Sequence, residues 1–372
     1  MPFMSFVPLG DKTPYTVKTS NDLMTQILQE FVMLRYMRAP KVITGPKAIA
    51  PWIDQAKTYF VDARKSDWRS GGLLYYYSFL NFAKAYLVAK RIITFKSLKS
   101  TSLYHGLSST PQDISKITDF EVEIYPPTTQ QNHRNVFSSL YVGVTRKKWP
   151  FNKKLKIKVG DIAGYCSDIS HELLSLLNIT HQLIYIQSLI RFNKEKEAWF
   201  EMALLKSQSA IIKNHVSHWQ LEEIPLNKMS REDYNDWLSV NPKIANNFSN
   251  LALLRSRKMS FIKPDSDSAS NMEAISYLQE YAIPTTYEES DLEWLFVPKI
   301  PLDSKKIHWH PLLSDYLIAF VLSTILRYQL HLLSPGSPNS FLAETWCSQS
   351  SVSTLRQLLM LFTNPPLRVE TY

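Results

Sequence analysis

Three polar residues sit where the surrounding sequence gives them no obvious reason to be polar. Arg327 interrupts residues 312–333, the most apolar stretch of the chain. Asn81 lies in an almost wholly apolar run, and His105 follows that run after a short connection. A buried amide without a partner costs roughly 1–3 kcal/mol, and an unpaired buried charge costs more. Both residues therefore need partners. In one reading the three surround a pocket in which Arg327 holds an anion and His105 transfers a proton. In the other they form a satisfied polar network that sets helix register.

A second candidate is the run Arg146, Lys147, Lys148, Trp149, Pro150, Phe151, Asn152, Lys153, Lys154, Leu155, Lys156, Ile157, Lys158, which contains no acid. Its cations suit phosphates and its aromatics suit bases. An edge strand kept soluble by lysines would read the same way. Glu121 and Glu123 alternate as metal-dependent nuclease carboxylates do, but no lysine follows in the needed position. His215/His218 and His308/His310 are close pairs without a neighbouring cysteine pair, so no metal site is expected. No glycine-rich phosphate loop and no Gly-x-Ser-x-Gly elbow occurs. That argues against nucleotide-cradling ATPases, dinucleotide enzymes and α/β-hydrolases, and no cofactor is expected.

These residues need a frame. The chain has 372 residues, 45% hydrophobic and 20% charged, with only nine glycines and two cysteines. Such a composition is globular and supports no disulfide framework, and a reducing cytoplasm is the expected setting. The formal net charge of +9 favours polyanionic partners. Residues 1–10 hold Pro2 and Pro8 and no basic segment before an apolar one, so no secretory signal is expected. Residues 312–333 are too interrupted for a bilayer span of about 20 apolar residues, so a core helix and no membrane association are expected.

Helical spacing predicts helices over residues 21–38, 49–64 and 73–91, the last after Gly71-Gly72 and apolar nearly all round. From Phe120 the period changes. Residues 121–125, 140–144 and 154–159 read as strands, the last with its lysines on one side. Residues 170–192, 199–208, 230–254, 312–333 and 353–362 read as helical, and 263–271 as a loop. The expected organisation is an N-terminal helical region (1–117), a small β insert (118–160) and a C-terminal helical region (161–372), packed as one compact unit.

The stretch Leu73-Leu74-Tyr75-Tyr76-Tyr77-Ser78-Phe79-Leu80-Asn81-Phe82-Ala83-Lys84-Ala85 resembles the YaaC-like family, whose members carry a similar Tyr-rich helix followed by a His-Gly pair. Here the pair is His105-Gly106. Residues 52–60, 157–162, 311–316 and 322–328 resemble further segments in the family's order, so the likeness spans roughly residues 45–365. It departs after Arg327-Tyr328, where Gln329-Leu330-His331 follows. The family carries no settled activity.

The Tyr-rich helix and His-Gly pair are also similar to HEPN-type helical domains, many of them ribonucleases or nucleotide-binding modules. That likeness implies a mainly α fold with a HEPN-type core. It also implies a possible arginine–histidine pair, here Arg327 and His331, one residue short of the usual spacing but sharing a helix face at i,i+4. The alternative is an arginine paired with a carboxylate. The functional expectation is a cytoplasmic basic protein that binds nucleic acid (RNA or DNA) or serves a protein complex, a role in prokaryotic antiphage defence being implied by the resemblance. The alternative is a metal-independent ribonuclease using His105, Arg327 and His331.

Overall fold

The computed structural model describes residues 2–6, 46–90, 92–94, 103–110, 112–127, 135–166, 168–192, 197–225, 250–260, 277–278, 281–284, 293–363 and 367–371. The helix expected at 21–38, the loop at 263–271 and most of 230–254 lie outside these residues. Contacts group the chain into two units, residues 17–182 with 300–364, and residues 1–16 with 183–299 and 365–372. Their limits differ from the three segments expected from the sequence.

In the first unit, helix α1 (Pro46–Lys65) leads into α2 (Trp68–Ala89). Asp67 starts α2 by accepting a hydrogen bond from the Arg69 amide at 2.9 Å, which satisfies one of the unpaired amides of a helix start. The helix therefore begins before Gly71-Gly72, not after it. Those glycines serve packing. A Cβ on Gly71 would lie 2.9 Å from the Ala63 carbonyl oxygen of α1, and one on Gly72 2.6 Å from Leu326 Cδ1. Ser78, fully buried, donates to the Ala56 carbonyl at 2.7 Å and ties α2 to α1. With Tyr75, Tyr76, Phe79, Phe82 and Leu87 also buried, α2 has neighbours on nearly every side.

One of those neighbours is α7 (Pro311–Tyr328), started by His310, whose Nδ1 accepts from the Leu312 amide at 3.1 Å. This helix is long and apolar enough to cross a membrane, but 83% of it is buried inside the unit. Tyr76 meets Tyr316 and Phe320 edge-on, with ring centroids 6.0 and 5.6 Å apart. Helices α8 (Pro338–Thr345) and α9 (Ser351–Thr363) follow, joined by a π turn containing Trp346.

Between α2 and α7 lies a three-stranded antiparallel sheet of β2 (Leu107–Ser108), β3 (Glu121–Ile124) and β4 (Leu155–Lys158). Apolar Val122, Ile124, Leu155 and Ile157 face inward, as the alternation predicts. Residues 140–144, expected as a strand, belong instead to α3 (Val136–Thr145). Asn135 caps it, accepting from the Ser138 amide at 2.8 Å, and a short helix buried on several sides carries the same apolar run as a strand. Two short helices, α4 (Val159–Ala163) and α5 (Ser170–Leu177), close this part.

The second unit corrects the helical reading of 161–372. Helix α5 stops at Asn178 in the left-handed conformation (φ 56°). The chain then forms β5 (Ile184–Phe192) and β6 (Glu197–Leu205), where residues 170–192 and 199–208 were expected to be helical. With β7 (Glu222–Glu223), β8 (Leu251–Arg255), β9 (Met259–Ser260), β10 (Ala282–Pro284) and β11 (Glu293–Phe296) they make a seven-stranded antiparallel sheet. Phe200, Met202 and Leu204 enter the core on one face, and Ala203 and Leu253 are buried on the other. Apolar residues on both faces hide the two-residue period. Helix α6 (Ser209–His215) packs in the same unit. Hairpin β12 (Ile300–Leu302) and β13 (Lys305–Ile307) returns to the first unit, and β14 (Leu367–Thr371) pairs β1 (Pro2–Phe6). Helix still outweighs strand.

The buried carboxyl on α7 is Asp315, fully enclosed, with Trp346 Nε1 3.4 Å from its Oδ1. Burial, reinforced by the Asp168 charge, pushes its pKa up to about 8. The folded protein thus keeps a proton that the unfolded chain loses near the ordinary value of 3.8. Its contribution to stability is complete at low pH and is lost as pH rises through that window. Asp315→Asn carries no such proton. Thermal melts should therefore show the variant gaining on the parent between about pH 5 and about pH 8; a constant difference would mean that Asp315 is ionised in the fold.

Candidate functional site

His105 is held by its backbone. Its carbonyl accepts from the Phe137 amide at 3.1 Å, and the carbonyl of Tyr104 accepts from Val136 at 3.0 Å, both at the start of α3. Gly106 follows at φ 83° and its carbonyl accepts from the Tyr125 amide at 2.9 Å. The Leu107 amide donates to His105 Nδ1 at 3.3 Å, so the neutral ring carries its proton on Nε2. The Phe320 ring, 5.7 Å away between centroids, covers part of the imidazole, although the residue as a whole is exposed. This loss of water, with the charges of Lys84 and Arg327, holds the His105 pKa below its usual value.

Arg327 occupies the last turn of α7. Its Nε donates to the Ser323 carbonyl at 2.8 Å, and its guanidinium lies 5.0 Å from the centre of the Tyr328 ring. Sequence reasoning treated this arginine as buried in an apolar helix. It is exposed, because the helix ends one residue later at the surface. Among the described residues no carboxylate pairs with it.

His105 and Arg327 line one cleft of about 210 Å³, with Ser108, Phe320, Thr324 and Tyr328 among its walls. Residues 320, 324 and 327 recur at helical spacing and so share one face of α7. Gln329 also lines the cleft; it is buried, its Nε2 donates to the Gln112 carbonyl at 2.6 Å, and its Oε1 has no partner among the described residues. Ser108 Oγ lies 3.1 Å from Glu123 Oε2. Lys84 of α2, half-buried with Nζ 4.9 Å from the Trp52 ring centre, adds its charge to that of Arg327 at His105. Burial holds the Lys84 pKa below its usual value.

The other expected residues fall elsewhere. His331 does not share a helix face with Arg327. Gln329 (φ −138°, ψ 42°) ends α7, and His331 sits exposed in the following 3-10 turn, outside the cleft walls. Asn81 is buried at 7% exposure on α2 but does not line the cleft.

The basic run divides. Lys156 pairs with Glu121 at 2.9 Å and Lys154 with Glu123 at 3.0 Å, so the two carboxylates weighed as metal ligands are spent on lysines. Glu123 is held below its usual pKa chiefly by the Lys154 hydrogen bond. Trp149, expected to stack on bases, is buried at 8% against Tyr141 and Phe151 (ring centroids 5.0 and 5.5 Å), and Phe151 is buried too. Arg146, Lys148, Lys153 and Lys158 are exposed, and Lys147 is half-buried. No group of three His, Cys, Asp or Glu side chains among the described residues could hold a metal.

Of the residues that carry the sequence resemblance, His105 and Arg327 line this cleft, and Lys84 lies within electrostatic reach of His105. A model described as YaaC-like protein matches residues 32–335. The chain belongs to the YaaC-like family. No curated protein and no solved structure matches it. Within this YaaC-like chain, the residues that sequence reasoning passed over are Tyr328, Thr324, Ser108 and Gln329. Tyr328 and Thr324 had a readable signal in their helical spacing from Arg327 and Phe320. Ser108 and Gln329 had none.

Gly106 sets the position of His105, and a Cβ there would collide with the Asn135 side chain that caps α3. Gly336, also at positive φ (75°), has open space around it. Gly336→Ala should cost about 1 kcal/mol from backbone strain alone. Gly106→Ala adds a clash and should cost at least about twice that, read as the loss in unfolding free energy. Equal losses would show that the Asn135 contact exerts no constraint.

Proposed function

We propose that this YaaC-like protein binds nucleic acid, RNA foremost, through the His105–Arg327 cleft, as a cytoplasmic accessory component of a protein complex. The observation that carries this reading is the guanidinium of Arg327, which has no carboxylate partner among the described residues and lies beside the exposed ring of Tyr328. A cation next to an open aromatic face is what a phosphate and an adjoining base require. The charge of Lys84 adds to the positive potential at His105. The β4 ribbon is the weaker candidate, because Lys154 and Lys156 already have carboxylate partners and Trp149 is enclosed.

One observation favours a second reading, a metal-independent ribonuclease. His105 and Arg327 face the same space, where the neutral His105 ring presents its Nε2–H and Arg327 its charge to the oxygens of a reacting phosphate. In that reading His105 and Arg327 act without His331.

Equilibrium binding of a single-stranded oligoribonucleotide across a salt series tests the proposal. Affinity should fall with log salt at a slope of about −0.7 per phosphate neutralised. Arg327→Ala should weaken binding roughly tenfold, the loss of one charge-assisted contact. The double variant Lys153→Glu/Lys154→Glu should change it far less. If the double variant abolishes binding and Arg327→Ala does not, the cleft is the wrong surface. RNA shortened in the presence of EDTA, with shortening lost in His105→Ala while binding persists, would establish the ribonuclease.

A further inference from the structure

We infer that the cleft is a site for one nucleotide bearing a phosphomonoester, whether free or at the end of a strand, with the phosphate at Arg327 and the base against Tyr328. This rests on the reading of the cleft as a nucleic-acid site and narrows it from any stretch of strand to a single terminal unit.

Size is the first argument. The cleft of about 210 Å³ has room for a sugar and its phosphate. The base must then leave the cleft over its rim. At the rim stands Tyr328, 67% exposed, with the Arg327 guanidinium near its ring. Stacking on an exposed ring needs no particular base.

Charge is the second argument. A phosphomonoester is close to a dianion at neutral pH, whereas an internal phosphodiester carries one charge. Among the described residues Arg327 makes no ion pair, and Lys84, resting on the Trp52 ring, has no carboxylate at ion-pair distance. His105, within electrostatic reach of both, has its Nε2–H available as a donor. Glu123, the carboxylate beside Ser108, is engaged by Lys154. An unpaired guanidinium on the cleft wall, a second cation within electrostatic reach of His105 and a neutral donor match a doubly charged end better than a singly charged link.

The third argument is negative space. A protein that tracks a strand needs a continued cationic groove with several open aromatic platforms. The ribbon next to the cleft has its inner lysines neutralised and its Trp149 and Phe151 buried.

Calorimetric titration of the full chain with AMP, adenosine and inorganic phosphate, and displacement of AMP by one short oligoribonucleotide with hydroxyl or phosphorylated ends, test this together. AMP should bind at least tenfold tighter than adenosine or phosphate. Tyr328→Ala should lose that advantage while keeping phosphate binding, and Arg327→Ala should lose both; each residue is exposed, and unchanged melting curves confirm folding. Displacement by the phosphorylated strand alone identifies a strand end as the source, and AMP binding without any strand binding identifies a free nucleotide and removes the RNA reading. Two results overturn the inference: hydroxyl-ended strand binding as tightly as phosphorylated strand with AMP unable to displace it, in which case RNA binding stands, or phosphate binding as tightly as AMP. Binding of neither AMP nor any strand removes both readings.

Discussion

A helix buried on nearly every side must be met on nearly every side, and α2 imposes that demand on the rest of its unit. Its tyrosines and phenylalanines can be enclosed only if α1, α7 and the α8–α9 segment come close. The means are specific. Gly71 and Gly72 remove side chains where Ala63 and Leu326 approach, and Ser78 gives the Ala56 carbonyl a donor. Phe60, Trp346, Tyr316 and Phe320 then pack edge-on against Tyr75, Phe79 and Tyr76, the arrangement that aromatic quadrupoles favour.

The cleft follows from that packing. With α7 laid along α2, its Phe320 face reaches the segment after α2, and the loop carrying His105 is pinned there by α3 and β3. Neither His105 nor Arg327 is placed by a local motif of its own. Each is carried to the cleft by elements whose positions are set by apolar burial elsewhere. Polar groups inside the core are few, and Asp315 shows the cost of one: enclosed beside Trp346 with the Asp168 charge nearby, it is held protonated well above the ordinary carboxylate range.

Charge on the surface is arranged by cross-strand geometry. On β3 and β4 the outward residues are Glu121 and Glu123 facing Lys154, Lys156 and Lys158, and diagonal pairs form. A stretch that contains no acid in sequence is thus partly neutralised in space. Arg327, at a helix end with no carboxylate partner among the described residues, keeps its charge. That contrast separates a solubilised edge from a candidate binding surface, and the net charge of +9 alone cannot make the distinction.

The sequence by itself determined the helices α1, α2, α7 and α9, because long apolar patterns at helical spacing have no other compact solution. It also determined β4, whose strict alternation admits one half-buried strand. It named the chemistry-bearing types His105 and Arg327. Tertiary structure decided the rest. Residues 140–144, 184–192 and 197–205 have apolar residues on more than one face, so no single period emerges, and only capping by Asn135 and pairing with neighbouring strands select helix or sheet. The partner of each lysine, the enclosure of Trp149 and the parting of His331 from Arg327 depend on residues far apart in the chain or on where a helix stops. Ion pairs and burial are properties of distance in space, and a linear pattern carries that information only within a few turns of its own helix or strand.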